Sequence, residues 1–349
     1  MNEFNVDTLL RNNIKKLIPY ASARTEFKGK ANIFLDANEN NFGSATGENY
    51  NRYPDPLQQN LKLAISELKN VNASQIFVGN GSDEPIDLLI RAFCEPGVDN
   101  IIICPPTYGI YQVAANINDI EVKEAPLTTQ FELDINLIMK IIDIQSKIIF
   151  ICSPNNPTGN LLSAKDIEIL LERFKGLVII DEAYIDFAGT DSWALQLAKY
   201  PNLVVLQTFS KAWGMAGLRI GMAFASEEII QILNKIKPPY NISESTQKLA
   251  LNALDNKEIV NEWIEAIILQ RTCLANELLQ FAFIKKIYPS DANFLLIEVA
   301  DPEPLYGFLA ENGIIVRNRS QVIGCKNCLR VSIGTRDENQ ELINILKQY

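Results

Sequence analysis

Lys211 is the residue of this sequence whose surroundings most clearly indicate covalent chemistry. It follows the apolar segment Asn202 to Leu206, with Thr208 and Ser210 beside it and Arg219 shortly after it. A lysine amine can form an imine with a carbonyl compound, while hydroxyl and guanidinium groups bind the oxygens of an anion. The segment therefore indicates a Schiff base to a ligand that also carries an anionic group. A solvated lysine in a glycine-rich loop would give the same pattern, so this segment alone leaves both interpretations open.

Asp181 ends a second apolar segment, Leu177 to Ile180, and Tyr184 follows soon after it. A strand that ends in aspartate places a carboxylate at the carboxyl edge of a parallel sheet, where ligands bind. Opposite a pyridine-type nitrogen, such a carboxylate keeps the ring protonated and makes it an electron sink. Tyr184 can then donate a hydrogen bond to an oxygen of the same ring. On this motif alone, a helix cap or a metal ligand is an alternative role for Asp181.

Three further motifs place polar or aromatic side chains directly after apolar segments. The loop from Ser153 to Gly159 contains Asn156, which can bond a ring oxygen, and its prolines and glycine favour a fixed loop. A glycine turn at the start of a helix offers the backbone N–H groups of Ser82 and Asp83, which suit a phosphate. Tyr108 can stack on a flat heterocycle. Taken singly, each motif has a plain structural alternative, namely a turn, a helix N-cap or core packing.

These motifs can form one site only if they lie at the same edge of a β-sheet. The apolar segments along the chain predict such a sheet. Short β-rich segments alternate with amphipathic helical stretches such as Pro85 to Cys94 and Ala164 to Phe174. That alternation indicates an α/β fold with a mostly parallel sheet flanked by helices. A long helical region is predicted from Ser245 to Gln280, interrupted near Asp255, and is followed by a smaller α+β domain. The predicted strands are Ile76 to Val78, Ile101 to Ile103, Lys147 to Cys152, Leu177 to Ile180, Leu203 to Leu206, Phe294 to Val299, Ile314 to Arg317 and Leu329 to Ile333.

The chain is predicted to divide into three parts. Residues 1–30 form a polar leader that we interpret as an arm, residues 31–245 a large α/β domain, and residues 246–349 a connecting helical region and a small C-terminal domain. A length of 349 residues accommodates one large and one smaller domain. The leader lacks the apolar core and cleavage site of a secretory signal, and no apolar run reaches roughly 18 residues. Neither secretion nor membrane insertion is therefore expected.

Charge and composition limit the classes of function. The formal net charge of −10 disfavours nucleic acid or an anionic membrane surface as a partner. The chain contains no histidine, which excludes Ser-His-Asp and Cys-His catalysis and imidazole ligands for a metal. Cys325 and Cys328 have the spacing of half a metal or redox motif, but without a second pair we interpret them as a turn before a strand. No metal site is expected, and reduced thiols fit a cytoplasmic protein.

Together and in this order, the motifs closely resemble those of fold-type I pyridoxal-phosphate-dependent aminotransferases. Within these enzymes the chain is most similar to the histidinol-phosphate aminotransferase family. The narrower resemblance extends over nearly the whole chain, from about Pro19 to the last helix. It rests on Leu35 to Asn40, Asn51 to Pro56, Gly79 to Phe93, Pro105 to Tyr111 and Arg330 to Arg336.

The resemblance implies a pyridoxal 5'-phosphate cofactor and a role for each matching residue. Lys211 corresponds to the Schiff-base lysine that also moves the proton, and Asp181 corresponds to the partner of the ring nitrogen. Arg330 is expected to bind the substrate anion, with Arg317 as a second phosphate ligand. The other implied roles are Asn156 and Tyr184 on the ring oxygen, Tyr108 stacked on the ring, Ser82, Asp83, Thr208, Ser210 and Arg219 around the cofactor phosphate, Tyr20 and Asn38 towards the substrate, and Tyr53 reaching the cofactor from a partner subunit.

The implied reaction is transamination of L-histidinol phosphate with 2-oxoglutarate, a ping-pong step of histidine biosynthesis. The expected partners are an amino phosphate, 2-oxoglutarate or glutamate, and a second copy of the chain in a homodimer with shared active sites. An aromatic amino acid aminotransferase and a threonine-phosphate decarboxylase are alternatives, since each substrate carries an anion at the end facing Arg317 and Arg330. A regulatory module that kept the fold is a further alternative. The lack of a DNA-binding extension and the intact Lys211 and Asp181 disfavour it.

Overall fold

The fold is described from a computed structural model, which covers residues 4–20 and 31–349. Its main feature is a seven-stranded sheet. The strands of this sheet are β1 (Ile76–Asn80), β2 (Asn100–Ile103), β3 (Glu121–Glu124), β4 (Ser146–Cys152), β5 (Leu177–Asp181), β6 (Leu203–Thr208) and β7 (Ile220–Phe224). Their spatial order is β1-β7-β6-β5-β4-β2-β3. Only β7 within this sheet runs against its neighbours, β1 and β6, and the other pairs are parallel.

The central strands β4, β5 and β6 each contain an apolar run because both faces of the sheet are covered. In β4, Ile149 and Ile151 belong to one apolar core, whereas Ile148 and Phe150 belong to the other. Successive side chains of a strand point to opposite faces, so a strand buried on both sides reads as a continuous apolar run. This is why the sequence predicts β4, β5 and β6 correctly.

Helices cover the two faces and connect successive parallel strands. The segment that follows β1 illustrates why: its apolar residues recur at helical spacing, and Ile86, Leu89, Ile90 and Phe93 are all buried against the sheet. The helices are α1 (Val6–Leu9), α2 (Asn12–Lys16), α3 (Gln59–Lys69), α4 (Asp83–Phe93), α5 (Ile110–Ile117), α6 (Ile135–Ile141), α7 (Ala164–Arg173), α8 (Glu227–Ile236), α9 (Glu244–Leu254), α10 (Lys257–Leu278), α11 (Pro302–Glu311) and α12 (Arg336–Leu346).

The C-terminal part contains a four-stranded antiparallel sheet in the order β10-β11-β9-β8. Its strands are β8 (Ile284–Ile287), β9 (Phe294–Val299), β10 (Arg317–Asn318) and β11 (Cys328–Ser332). The predicted strand from Ile314 to Arg317 is wrong for its first three residues. The backbone N–H of Ile314 donates to the carbonyl of Leu309 and closes the end of α11. Pairing with β11 begins only at Arg317.

The described part of the predicted arm, residues 4–20, contains α1 and α2 and packs on the chain's own large sheet. Val6 and Leu10 are buried in the core that also contains Phe93. The guanidinium of Arg11 donates to the carbonyl oxygen of Arg91 at 2.9 Å. Residues 1–3 and 21–30 of the predicted arm lie outside the described residues.

The chain passes from one core to another within α10. Val260, near its start, packs in the core of the large sheet, whereas Leu274 and Leu278, near its end, pack in the core of the small sheet. The proposed division at residue 245 falls in the first turn of α9, whose Ala250 also belongs to the large core. That boundary stays a prediction.

Among the described residues, no helix combines the length and apolar character needed to cross a membrane.

Candidate active site

A cavity of about 310 Å³ lies at the carboxyl edge of the large sheet, and we call it the sheet-edge cavity. Parallel strands end there, and residues that follow them converge, as expected for ligand sites of open α/β sheets. Because β7 is antiparallel, it begins at this same edge, which brings Arg219 to the residues that follow β6. The predicted site residues that line the cavity are Ser82, Asp83, Tyr108, Asn156, Asp181, Tyr184, Thr208, Ser210, Lys211, Arg219, Arg317 and Arg330.

Lys211 lies just beyond the end of β6 and contributes an amine to the cavity. Its Nζ is 5.5 Å from the centroid of the Tyr184 ring. Burial, followed by the positive charge of Arg330, lowers the pKa of Lys211 below its ordinary value. A lower pKa increases the fraction of neutral amine near pH 7, and the neutral form is the nucleophile towards a carbonyl.

Asp181 occupies the last position of β5 and is only 2% exposed. Its carboxylate accepts a hydrogen bond from the hydroxyl of Tyr111 at 2.7 Å and another from the backbone N–H of Ala183 at 3.1 Å. Burial raises the pKa of Asp181 to about 6, against the opposing effect of these two donors. A cation opposite the carboxylate would favour its charged form, so the position suits a protonated ring nitrogen.

Tyr111 is a site residue to which the sequence gives no role. It lies in α5, is fully buried, and stacks on Phe150 with 4.6 Å between ring centroids. Its hydroxyl donates to one oxygen of Asp181, while the backbone N–H of Ala183 donates to the other. No local pattern reveals this contact, because the two residues are 70 positions apart in the sequence.

Residues of three segments form a cup of anion ligands beside Lys211. The Ser210 backbone N–H donates to the Thr208 hydroxyl, which in turn contacts the Ser210 hydroxyl at 3.0 Å. Arg219 has a left-handed backbone with φ 53°, and its Nη2 is 3.2 Å from a carboxylate oxygen of Asp83. A non-glycine residue in that region is strained, and such strain concentrates at functional sites.

The glycine turn before α4 leaves room for the cup. A Cβ added at Gly81 would lie 2.5 Å from Nη2 of Arg219, so only glycine leaves room for the guanidinium there. Gly81 also has φ 70°, which other residues rarely adopt. The donor set of hydroxyls, backbone N–H groups and one guanidinium fits a phosphate.

The ring-binding residues complete the middle of the cavity. The Tyr108 hydroxyl donates to Asp83 at 3.2 Å. Burial raises the pKa of Tyr184, so its phenol keeps its proton and can donate to a ring oxygen. Asn156 accepts from Nη1 of Arg330 at 2.5 Å through its side-chain oxygen, which leaves its NH2 group available to a ligand.

Three arginines of the small sheet form the opposite wall, and the sequence identifies only two of them. Arg317 of β10 lies directly opposite Arg330 of β11 in the strand register. Arg319 follows two residues after Arg317 and also lines the cavity. The predicted strand ends at Arg317, two residues before Arg319, and the period-two spacing of the two arginines is the signal that could have revealed Arg319.

The structure does not bring three predicted residues to the cavity. Tyr53 and Asn38 line a separate cleft, and Tyr53 stacks on Tyr240 with 4.5 Å between ring centroids. Tyr20 is 76% exposed. The expected role of Tyr53 in a neighbouring subunit stays a prediction.

The cysteines form no disulfide in the structure. Cys325 and Cys328 are both buried, and the backbone N–H of Cys328 donates to the carbonyl of Cys325 at 3.0 Å, which is a turn directly before β11. Within the described residues, no group of histidine, cysteine, aspartate or glutamate has the arrangement of a metal site.

A family model for aminotransferases of class I and II matches residues 26–346, and the chain belongs to that family. The predicted fold class and the predicted pyridoxal-phosphate-dependent aminotransferase are thereby confirmed. A histidinol-phosphate aminotransferase of Cytophaga hutchinsonii is 55% identical over 346 residues, which cover 99% of each chain. One of Christiangramia forsetii is 51% identical over 100% of this chain and 99% of that protein. The crystal structure of a histidinol-phosphate aminotransferase from Clostridium acetobutylicum matches with a TM-score of 0.78 at 28% identity, covering 86% of this chain and 91% of that one.

Proposed function

We propose that this chain transfers the amino group of L-histidinol phosphate to 2-oxoglutarate, with pyridoxal phosphate held in the sheet-edge cavity. The observation that carries the proposal is the presence of two separate groups of anion ligands in one cavity. The cup around Arg219 suits the phosphate of a cofactor, and the arginines of the small sheet suit a second anion. The names of the full-length relatives support the same reaction.

The residues would divide the work as follows. When bound, pyridoxal phosphate supplies an electron sink for the negative charge that develops on the carbon bearing the amino group. Asp181 would hold the ring nitrogen protonated, and Asn156 and Tyr184 would orient the ring oxygen. Lys211 would bind the cofactor covalently and then move a proton at that carbon, because its amine lines the cavity and burial lowers its pKa, which favours the neutral, basic form.

One comparison of substrates tests the function directly. The purified protein should transfer the amino group to 2-oxoglutarate from L-histidinol phosphate with a far higher kcat/KM than from phenylalanine or tyrosine. Preference for the aromatic amino acids would instead support the aromatic aminotransferase. The comparisons favour neither that enzyme nor the threonine-phosphate decarboxylase.

A cytoplasmic location is proposed with the function, and the free thiols support it.

Arg317→Ala and Arg330→Ala should have different substrate profiles. Arg330 touches Asn156 in the centre of the cavity, and both substrates must use it in turn, so Arg330→Ala should weaken both half-reactions. Arg317 lies further out and should matter more for the phosphate substrate than for glutamate. Each lost charged contact should reduce kcat/KM by about 10- to 150-fold, equivalent to roughly 1.5–3 kcal/mol. Single-turnover kinetics of the two half-reactions measure this. Small, equal losses for Arg317→Ala would argue against the phosphate substrate.

We further propose a homodimer in which Tyr53 completes the partner's site. The support is that Tyr53 is 51% exposed and lies outside the cavity of its own chain. Mixing Tyr53→Ala with Lys211→Ala, each defective at limiting cofactor, should restore about a quarter of the sites after random subunit exchange. Half of the dimers would then be mixed, and each mixed dimer would hold one intact site of two.

The matched control for this experiment mixes Lys211→Ala with Lys211→Arg. Both defects fall on the same half of the site, so exchange should restore nothing. A monomer by light scattering, or the absence of restored activity after proven exchange, would rule out the shared site.

A further inference from the structure

We propose that Arg319 is a third ligand of the substrate phosphate and the residue that makes the site prefer a phosphate to a carboxylate. This inference rests on the proposed function, since it assigns the substrate phosphate to the wall formed by the small sheet. It adds a residue that neither the motifs nor the comparisons indicate.

The geometry of β10 brings Arg319 to this wall. The backbone N–H of Arg319 donates to the carbonyl of Cys328 at 2.9 Å, so the extended pairing with β11 continues past the last residue of β10. Side chains two residues apart on an extended strand share a face. Arg319 therefore lies on the face of Arg317, and both line the sheet-edge cavity. The intervening Asn318 faces away and donates to Glu303 at 2.8 Å.

The guanidinium of Arg319 has no carboxylate partner within the described part of the chain. Among the described residues, neither Arg317 nor Arg319 forms an ion pair with a carboxylate. Nε of Arg319 and Nε of Arg330 are both buried, and neither has an acceptor in residues 4–20 or 31–349. Buried donors are normally satisfied, and an unpaired one costs free energy. Two such donors on one wall therefore indicate that a ligand supplies the missing acceptors.

The electrostatics of the wall support the same conclusion. Burial first, and then the charges of Arg330 and Arg317, lower the pKa of Arg319 from its ordinary value. Three like charges crowded into one wall repel one another, and an anion between them removes that repulsion. The carboxylate of Glu303 accepts from Asn318, on the other side of β10.

The chemistry of the two substrates explains why a third arginine would discriminate. A phosphate monoester carries a charge of about −1.5 to −2 near pH 7 and presents three acceptor oxygens. A carboxylate carries one charge and two oxygens, which a single guanidinium can bind as a fork. Arg317 and Arg330 suffice for a carboxylate, and a third guanidinium gains a partner only when a phosphate is present.

The test is Arg319→Gln in the holoenzyme, assayed with L-histidinol phosphate, unphosphorylated L-histidinol and L-glutamate. The kcat/KM for histidinol phosphate should fall about 10- to 150-fold, mainly through KM. The values for histidinol and glutamate should change by less than about threefold, as for a charge with no direct contact. Inorganic phosphate should inhibit the wild type competitively and the variant at least about tenfold more weakly. Arg319→Lys should recover part of the loss because it keeps the charge.

The matched control is Arg336→Gln, which removes an exposed arginine at the start of α12, outside the cavity. It should leave all three substrates unchanged. An equal loss on all three substrates for Arg319→Gln, or no loss on any, would overturn the role of Arg319. If the wild type itself failed to prefer histidinol phosphate to histidinol, the proposed function would fall, and the inference with it. The wild-type comparison thus separates the two failures.

Discussion

Lys211→Ala should abolish the visible absorbance of the lysine–cofactor bond and nearly all turnover. Among the described residues, Lys211 is the only lysine that lines the sheet-edge cavity. No other lysine amine there can replace it. Loss of the proton transfer alone should slow the reaction by about 10²- to 10⁴-fold, and loss of the covalent link adds to this. Absorbance spectra and steady-state rates of the purified variant measure both effects.

Two further variants separate the amine from the charge. Lys211→Arg keeps a cation at this position but has no nucleophilic amine, so it should fail like the alanine variant. Lys199→Ala removes an exposed lysine that pairs with Glu168 at 3.2 Å away from the cavity, and it should keep both spectrum and turnover. Retention of both properties in Lys211→Ala would refute the covalent role.

Asp181→Asn should still bind the cofactor but lose about 10²- to 10³-fold in rate, the loss expected when one preorganised electrostatic contact is removed. Asparagine fits the same space and can still accept from Tyr111, which now donates at 2.7 Å. What disappears is the negative charge that keeps the ring nitrogen protonated. Cofactor titration and single-turnover rates separate binding from chemistry.

The matched control replaces another carboxylate of the same region. Asp186 lies outside the sheet-edge cavity and pairs with Lys69 at 3.1 Å. Asp186→Asn should therefore lose no more than about threefold in rate, as for an ion pair of modest energy. Comparable rates for Asp181→Asn and the wild type would show that Asp181 has only a structural role.

The sequence predicts the strands that contain an apolar run and misses those in which the apolar pattern is absent or interrupted by glycine. β4, β5 and β6 each contain a continuous apolar run, because helices cover both sides of them. β3 has the sequence EVKE and no buried residue, so it shows no apolar pattern. β7 begins at Ile220, between Gly217 and Gly221, and this segment reads as a loop, although the start of β7 positions Arg219.

The residues of the candidate site also differ in whether a local sequence pattern marks them. Residues directly after strands could be predicted, because a strand end at the sheet edge is a local feature. Tyr111 could not be assigned a role, because its contact with Asp181 joins segments that are 70 positions apart. Arg319 is missed because the predicted strand ends at Arg317, before the extended pairing with β11 does. The placement of Tyr53 outside the cavity likewise depends on tertiary structure and assembly.

The brevity of β10 has a consequence for how the protein behaves in concentrated solution. This strand forms the edge of the small sheet and contains two residues, so it presents few unpaired backbone groups to another chain. Long, flat edges act as templates for intermolecular β-pairing, and positive charge on an edge opposes it. Arg317 and Arg319 supply that charge. The residues proposed to select the substrate therefore also protect the sheet against aggregation.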